Sequence, residues 1–192
     1  MIIEHVFYKD HTDQPGTILY IQGAGIPPRP LDLPPSRDIL PRMRLILLRG
    51  PSGTGKSTIA RRLADLATTD SAFHETDQFF VDEDGDYHFT VSKLGQAHNW
   101  NQLQVERSMS HGIPLVIVAN TFIAHWEMER YLELAEEYNY EVEIIRTPGP
   151  WESDVLFKRN KHNVPLEVVK RHIRFYQPHT EEIVWSDMSI FK

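Results

Sequence analysis

The sequence predicts an α/β fold in which a parallel β-sheet carries helices on both faces, preceded by an N-terminal β-hairpin and a proline-rich arm. Three observations predict it. Continuous apolar runs at Arg44–Leu48 and Pro114–Ala119 suit strands that are covered on both faces. Segments of helical periodicity separate these runs, and such alternation implies parallel pairing through crossovers. Prolines crowd the front of the chain, with seven of the thirteen before residue 42, which divides it into an arm, 1–42, and a core, 43–192.

Ile2–Tyr8 and Thr17–Gln22 read as short strands around the turn-rich segment Asp10-His11-Thr12-Asp13-Gln14-Pro15-Gly16, a hairpin pattern. Ile26–Pro41 holds six prolines and reads as an extended connector, because proline is excluded from helix interiors and central strands. An isolated hairpin is marginal in water, so the arm is expected to pack on the core or to pair with a second subunit as a homo-oligomer. In the core, Ser57–Leu66 sets Ile59, Leu63 and Leu66 at helical spacing, and the next strand should end near Phe73–Phe80. Ser92–Arg107 reads as a helix capped by Ser92, with Leu94, Ala97 and Leu103 facing inward. Ala124–Tyr138 is amphipathic and carries Trp126, Tyr131 and Leu134. Glu141–Ile145 alternates as a strand, and Pro165 opens a helix that runs to Tyr176.

A chain of 192 residues fits one ordinary domain with a small appendage. It has no cysteine, which excludes disulfides, cysteine-ligated zinc and thiol nucleophiles. The start, Met1-Ile2-Ile3-Glu4-His5, lacks the basic and long apolar regions of a signal peptide. No apolar run approaches bilayer length, so the expectation is a cytoplasmic protein without a membrane partner. A net charge of -7 argues against a generic nucleic-acid coat, while leaving room for a local basic cluster that binds a nucleic-acid end.

Gly50-Pro51-Ser52-Gly53-Thr54-Gly55-Lys56-Ser57 is a phosphate-binding loop placed between an apolar strand and a helix, as that chemistry requires. Glycines let successive backbone N–H groups converge on phosphate oxygens, and the helix start adds positive field. Gly50, Ser52, Gly53, Thr54, Gly55, Lys56, Ser57 and Thr58 are therefore candidates for holding ATP or another NTP. Lys56 reaches the terminal phosphates, and Ser57 offers its hydroxyl to Mg2+. In such a fold a proton acceptor sits at the end of the second strand, and Asp77 is the candidate; a helix cap is the plain alternative.

Residues from about 43 to 176 resemble the P-loop polynucleotide 5'-hydroxyl kinases. The resemblance rests on Leu48–Thr58, on Thr76-Asp77-Gln78-Phe79-Phe80, on Ser92–Asn101 and on Lys158-Arg159-Asn160-Lys161-His162-Asn163-Val164-Pro165. It implies that Asp77 is the general base and that Arg159 sits in a lid over the phosphates. The implied reaction is transfer of the γ-phosphate to the 5'-hydroxyl of a polynucleotide or nucleotide.

Two features depart from that family. The cluster after the third strand, Ala119-Asn120-Thr121-Phe122, lacks the usual aspartate, so Asn120 is expected to bond a magnesium-bound water. Phe79 and Phe80 stand where some members place an arginine, and suit stacking of a base. His98, Trp100 and Asn101 are further candidates for the acceptor side. Two other readings stay open: a sugar or nucleoside kinase of the same fold, and an NTP-binding module without transfer activity.

Overall fold

The computed structural model describes residues 5–9, 15–19 and 42–186. The chain divides into two units after Leu40. In the first unit β1 (His5–Lys9) and β2 (Pro15–Leu19) pair antiparallel, with Phe7 opposite Thr17. The expected hairpin is thus present, with β2 beginning at Pro15, a strand start where proline is tolerated. The outer ends of the two expected strands and the proline-rich connector lie outside the described residues.

The second unit is built on β3 (Arg44–Arg49), β4 (Ser71–His74), β5 (Leu115–Ala119), β6 (Glu141–Arg146) and β7 (Ile183–Val184). They form one sheet in the order β4-β5-β3-β6-β7, and every pair is parallel. Successive residues of a strand face opposite sides, so the central strand feeds two cores. Leu45 and Leu47 meet Val116, Val118 and Ile144 on one face. That face is covered by Val105 and Met109 of α2 (Leu94–Ser110) and by Tyr131 and Leu134 of α3 (Glu129–Glu137). Ile46 and Leu48 meet Leu115, Ile117 and Ala119 on the other, under Ile59 and Ala60 of α1 (Lys56–Leu66). Two further helices, α4 (Ser153–Arg159) and α5 (Leu166–Phe175), follow β6, and Pro165 caps α5. Among the described residues no helix is long and apolar enough to cross a membrane.

Several expectations are corrected. Ser92 lies in a 3-10 turn, Val91–Lys93, and α2 starts only at Leu94. Its buried face is Ala97, Asn101, Val105 and Met109, a stripe spaced by four, whereas Leu94 and Leu103 are exposed. A polar residue within the buried stripe disguised its phase. Leu66 is likewise exposed, at the last turn of α1, and Trp126 sits exposed in a 3-10 turn, His125–Glu127, ahead of α3. The two-residue strand β7 is too short to leave any periodicity in the sequence.

Arg49, the last residue of β3, is fully buried. Its Nε and Nη2 donate to the Phe122 carbonyl at 3.1 and 2.6 Å, and Nη2 also donates to the Gln177 carbonyl at 2.9 Å. Nη1 donates to Glu182 Oε2 at 3.0 Å, and the guanidinium lies 4.4 Å from the Tyr176 ring centre. Glu182 in turn accepts from Tyr176 Oη at 2.8 Å and pairs with Arg146 Nε at 3.3 Å. This network ties the strand that leads into the phosphate loop to the segment carrying β7. Removing one member leaves buried charge without its partner, at a cost of about 3–5 kcal/mol. Arg49→Met should lower the unfolding free energy by about that much in urea titrations. A loss below about 1 kcal/mol, the scale of an exposed pair, would show that the network holds nothing together.

Candidate functional site

The phosphate loop joins β3 to α1 at the carboxyl edge of the sheet, where open α/β sheets bind ligands. Gly50 has φ 144°, its N–H donates to the Thr121 carbonyl at 3.0 Å, and a Cβ there would collide with Thr147 Oγ1. Gly53, at φ 82°, passes so close to the Leu156 carbonyl that a Cβ would collide with it. Both glycines are required by close approach as well as by backbone conformation. Thr54 Oγ1 donates to the Pro51 carbonyl at 2.8 Å and stiffens the turn. Gly55, in the left-handed region at φ 88°, caps α1, so the first N–H groups of α1 have no partner within the helix. Ser52 Oγ lies 3.4 Å from His172 Nδ1 of α5, and Thr58 is exposed.

Lys56 Nζ donates to the Gly50 and Pro51 carbonyls at 2.9 and 3.0 Å. Burial against the loop lowers its pKa to about 8, with the Asp77 and Glu75 carboxylates opposing the shift. Burial also lowers His172 to about 4, helped by Lys56 and Arg171. The cradle therefore holds one marginally charged ammonium with carbonyl partners, which phosphate oxygens can replace. Its glycines, free helix N–H groups and lysine fit a nucleoside triphosphate.

Ser57 Oγ donates to Glu75 Oε2 at 2.5 Å. Glu75 is nearly buried, follows β4 directly, and its other oxygen lies 3.8 Å from Arg61 Nη2. Sequence reading gives Glu75 no role and expects the polar partner of Mg2+ at Asn120. In the structure Asn120 is buried, and both ends of its amide are bonded within the fold. Its Oδ1 accepts from the Thr76 N–H at 2.9 Å, and its Nδ2 donates to Asn101 Oδ1 and Tyr131 Oη, both at 3.4 Å. Asn120 thus fixes the backbone that carries Glu75 and Asp77, a task needing a donor and an acceptor on one side chain. Asn101, expected to face an acceptor, is fully buried and accepts from Tyr131 Oη at 2.7 Å. It supports Asn120 instead. The signal for Glu75 was present, two residues before Asp77 at the end of a sheet strand.

Asp77 lies in a 3-10 turn, Thr76–Phe80, that follows β4. Tyr87 Oη donates to Asp77 Oδ1 at 2.9 Å, and His162 Nε2 lies 3.5 Å from Oδ2. Burial and the Asp77 charge both raise the Tyr87 pKa, so the phenol stays protonated and remains a donor. Neither Tyr87 nor His162 is singled out by the sequence, since both come from loops and only folding brings them to Asp77. His98 Nδ1 is 3.4 Å from Thr76 Oγ1, and burial lowers its pKa. Phe80 is buried; Phe79 and Trp100 are half-buried and pack on one another at 6.0 Å. Arg159 ends α4, is exposed, and makes no ion pair among the described residues. It borders a cleft of about 350 Å³ that Thr54, Trp151, Val155 and Leu156 also line.

The Lys56 shift yields a pH prediction. Bound phosphate favours the charged lysine, while the free protein releases that proton as pH rises through about 8. ATP affinity should therefore be flat below that value and fall by up to about tenfold per pH unit above it. The same lowered pKa penalises the unliganded fold at neutral pH, and that penalty should disappear as pH rises toward the unfolded lysine's ordinary value. Calorimetric titration with ATP between about pH 7 and about pH 9 measures the first effect. A constant affinity across that range would contradict it.

Residues 45–179 match the family described as AAA domain. A stretch of 136 residues is 35% identical to NEDD4-binding protein 2 of Homo sapiens; it covers 69% of this chain and 8% of the human protein. An uncharacterized protein of Pasteurella multocida (strain Pm70) is 28% identical over 135 residues, covering 65% of this chain and 72% of that protein. A chain in the structure of the Pnkp1/Rnl/Hen1 RNA repair complex superposes with a TM-score of 0.56 at 17% identity, over 73% of this chain and 46% of that one. The APS kinase CysC of Mycobacterium tuberculosis, in complex with AMPPNP and APS, superposes with a TM-score of 0.51 at 15% identity, over 78% and 92%. These likenesses are of the overall fold, which is that of the P-loop kinases. The chain belongs to the AAA domain family and carries that fold.

Proposed function

We propose that the protein transfers the γ-phosphate of ATP to a hydroxyl, and that the acceptor is the 5'-hydroxyl of a polynucleotide or nucleotide. The observation that carries this reading is Asp77. Its carboxylate stands at the sheet edge beside Lys56, with one oxygen held by Tyr87 at 2.9 Å. A carboxylate so placed accepts the hydroxyl proton as the acceptor oxygen bonds to the γ-phosphorus and the β–γ bridging P–O bond breaks, releasing ADP. Lys56 neutralises charge on the phosphates. Arg159 reaches the same phosphates from α4 and helps exclude water, which would otherwise hydrolyse the nucleotide. Ser57 and Glu75 would hold Mg2+, Ser57 by its hydroxyl and Glu75 by accepting hydrogen bonds from metal-bound water. The ion screens the phosphate charges against one another.

Support for a nucleic-acid end comes from the segments shared with polynucleotide 5'-hydroxyl kinases and from the RNA repair complex among the structural neighbours. Lys158, Arg159, Lys161, Arg171 and Arg174 add exposed positive charge on α4, α5 and the loop between them, in an acidic chain. Exposed cations of this kind meet phosphates through short-range contacts. A small-molecule acceptor is the second reading, favoured by the APS kinase likeness, which extends over 92% of that chain. An NTP-binding module without transfer activity is the third reading; Glu75, an acid bonded to Ser57 at 2.5 Å, speaks against it.

Transfer of labelled phosphate from ATP to a panel of 5'-hydroxyl oligonucleotides, nucleotides, nucleosides and sugars tests the proposal. Oligonucleotides or nucleotides should be the preferred acceptors, and Asp77→Asn should lower kcat by about 10² to 10⁴ with little change in acceptor KM. Phosphorylation of sugars or nucleosides alone would overturn the acceptor assignment, and a fully active Asp77→Asn would remove the base. Glu75→Gln should raise the magnesium concentration for half-maximal rate by about 10-fold or more, the scale of losing one supporting partner of a metal. An unchanged magnesium requirement would leave Glu75 as a structural acid only.

A further inference from the structure

Close to Asp77 stands an aromatic face that the sequence does not single out. The chain reverses after Phe80 through a short turn. Val81 and Tyr87 form an antiparallel bridge, His88 N–H donates to the Phe80 carbonyl at 2.7 Å, and Asp82 Oδ1 accepts from the Asp84 and Asp86 N–H groups at 3.0 and 2.9 Å. The loop is therefore built and held by its own hydrogen bonds. Residues two apart on an extended segment share a side, so Tyr87 and Phe89 project together. Their rings lie 10° from parallel with centres 6.5 Å apart. Buried Phe80 contacts both at steep angles, with centres 6.1 and 5.0 Å away, and His162 packs on Tyr87 at 4.5 Å. Phe89 nevertheless remains 48% exposed. Phe79 and Trp100, the stacking candidates from sequence, are half-buried and packed on one another.

We propose that Phe89, backed by Phe80 and Tyr87, is the stacking face for the nucleobase of the acceptor's terminal nucleotide. The inference rests on the reading that the acceptor hydroxyl meets Asp77. Tyr87 links the two functions in one side chain, its hydroxyl on the Asp77 carboxylate and its ring beside Phe89. An acceptor whose hydroxyl sits at Asp77 thus carries its base toward an exposed ring, and a bare sugar has nothing to place there. Stacking uses the π-face that every base has, so recognition should require a base without selecting its identity.

The test compares two short single-stranded oligonucleotides with a free 5'-hydroxyl, one ending in thymidine and one in an abasic tetrahydrofuran residue. Wild-type protein should prefer the base-bearing end by about 5- to 100-fold in kcat/KM, the range for one aromatic–base stack. Phe89→Leu keeps apolar contact with Phe80 but removes the π-face, and should bring the preference close to unity. Phe89→Trp should retain it, which keeps the test decisive if the leucine variant melts early. Equal use of both ends by wild type, or a full preference in a folded Phe89→Leu, would overturn the proposal. If wild type phosphorylates neither oligonucleotides nor nucleotides, the reading of the acceptor itself has failed, and that outcome is visible before any variant is made.

Discussion

A fully buried guanidinium governs this architecture. Arg49 ends the central strand inside the protein, where an unpaired charge would be costly, and the next residue begins the phosphate loop. Its donors must therefore find acceptors from other segments, and they find them at Phe122, Gln177 and Glu182. The demand is strong enough to hold Phe122 at φ 43°, a backbone state that costs a bulky residue about 1–3 kcal/mol. Two hydrogen bonds from a charged donor to the Phe122 carbonyl offset that strain. One residue thus fixes the loop after β5, the C-terminal segment and the entry to the phosphate cradle.

A second polar network does the same work at the end of β4. Asn120 leaves the end of β5, the strand beside β4, and its amide holds the Thr76 N–H between Glu75 and Asp77. Asn101 and Tyr131 hold Asn120 from behind. The two acids therefore leave a pinned backbone in different directions, Glu75 to Ser57 and Asp77 to Tyr87 and His162. An aspartate at position 120 would offer no donor to Asn101 or to the Tyr131 hydroxyl.

Much of this was legible in the sequence wherever a local pattern carries the structure. The apolar runs of β3 and β5, the glycine spacing of the phosphate loop and the proline start of α5 each encode their own conformation. The position of Asp77 just past a strand was legible too. What escaped was set by contacts distant in sequence. Tyr87 and His162 reach Asp77 from 10 residues away and from another loop. Asn101 and Asn120 looked functional because polar residues on a strand end or helix face usually meet ligand or solvent, yet here Asn120 donates to Asn101 Oδ1 inside the core, and Asn101 Nδ2 finds no partner among the described residues. Leu103 and Leu66 looked buried because apolar type was taken as burial, a one-way rule that exposed leucines break.

The site that results pairs a cradle for phosphates with a carboxylate one side chain away from an aromatic face. A crystal structure of the protein with a non-hydrolysable ATP analogue, Mg2+ and a short 5'-hydroxyl oligonucleotide would locate the proposed acceptor oxygen. The terminal 5'-oxygen should lie within about 2.6–3.2 Å of an Asp77 carboxylate oxygen, in line with the γ-phosphorus and the bridging oxygen that leaves. An oligonucleotide bound with its 5'-hydroxyl away from Asp77, or with Asp77 turned from the γ-phosphate, would contradict this placement.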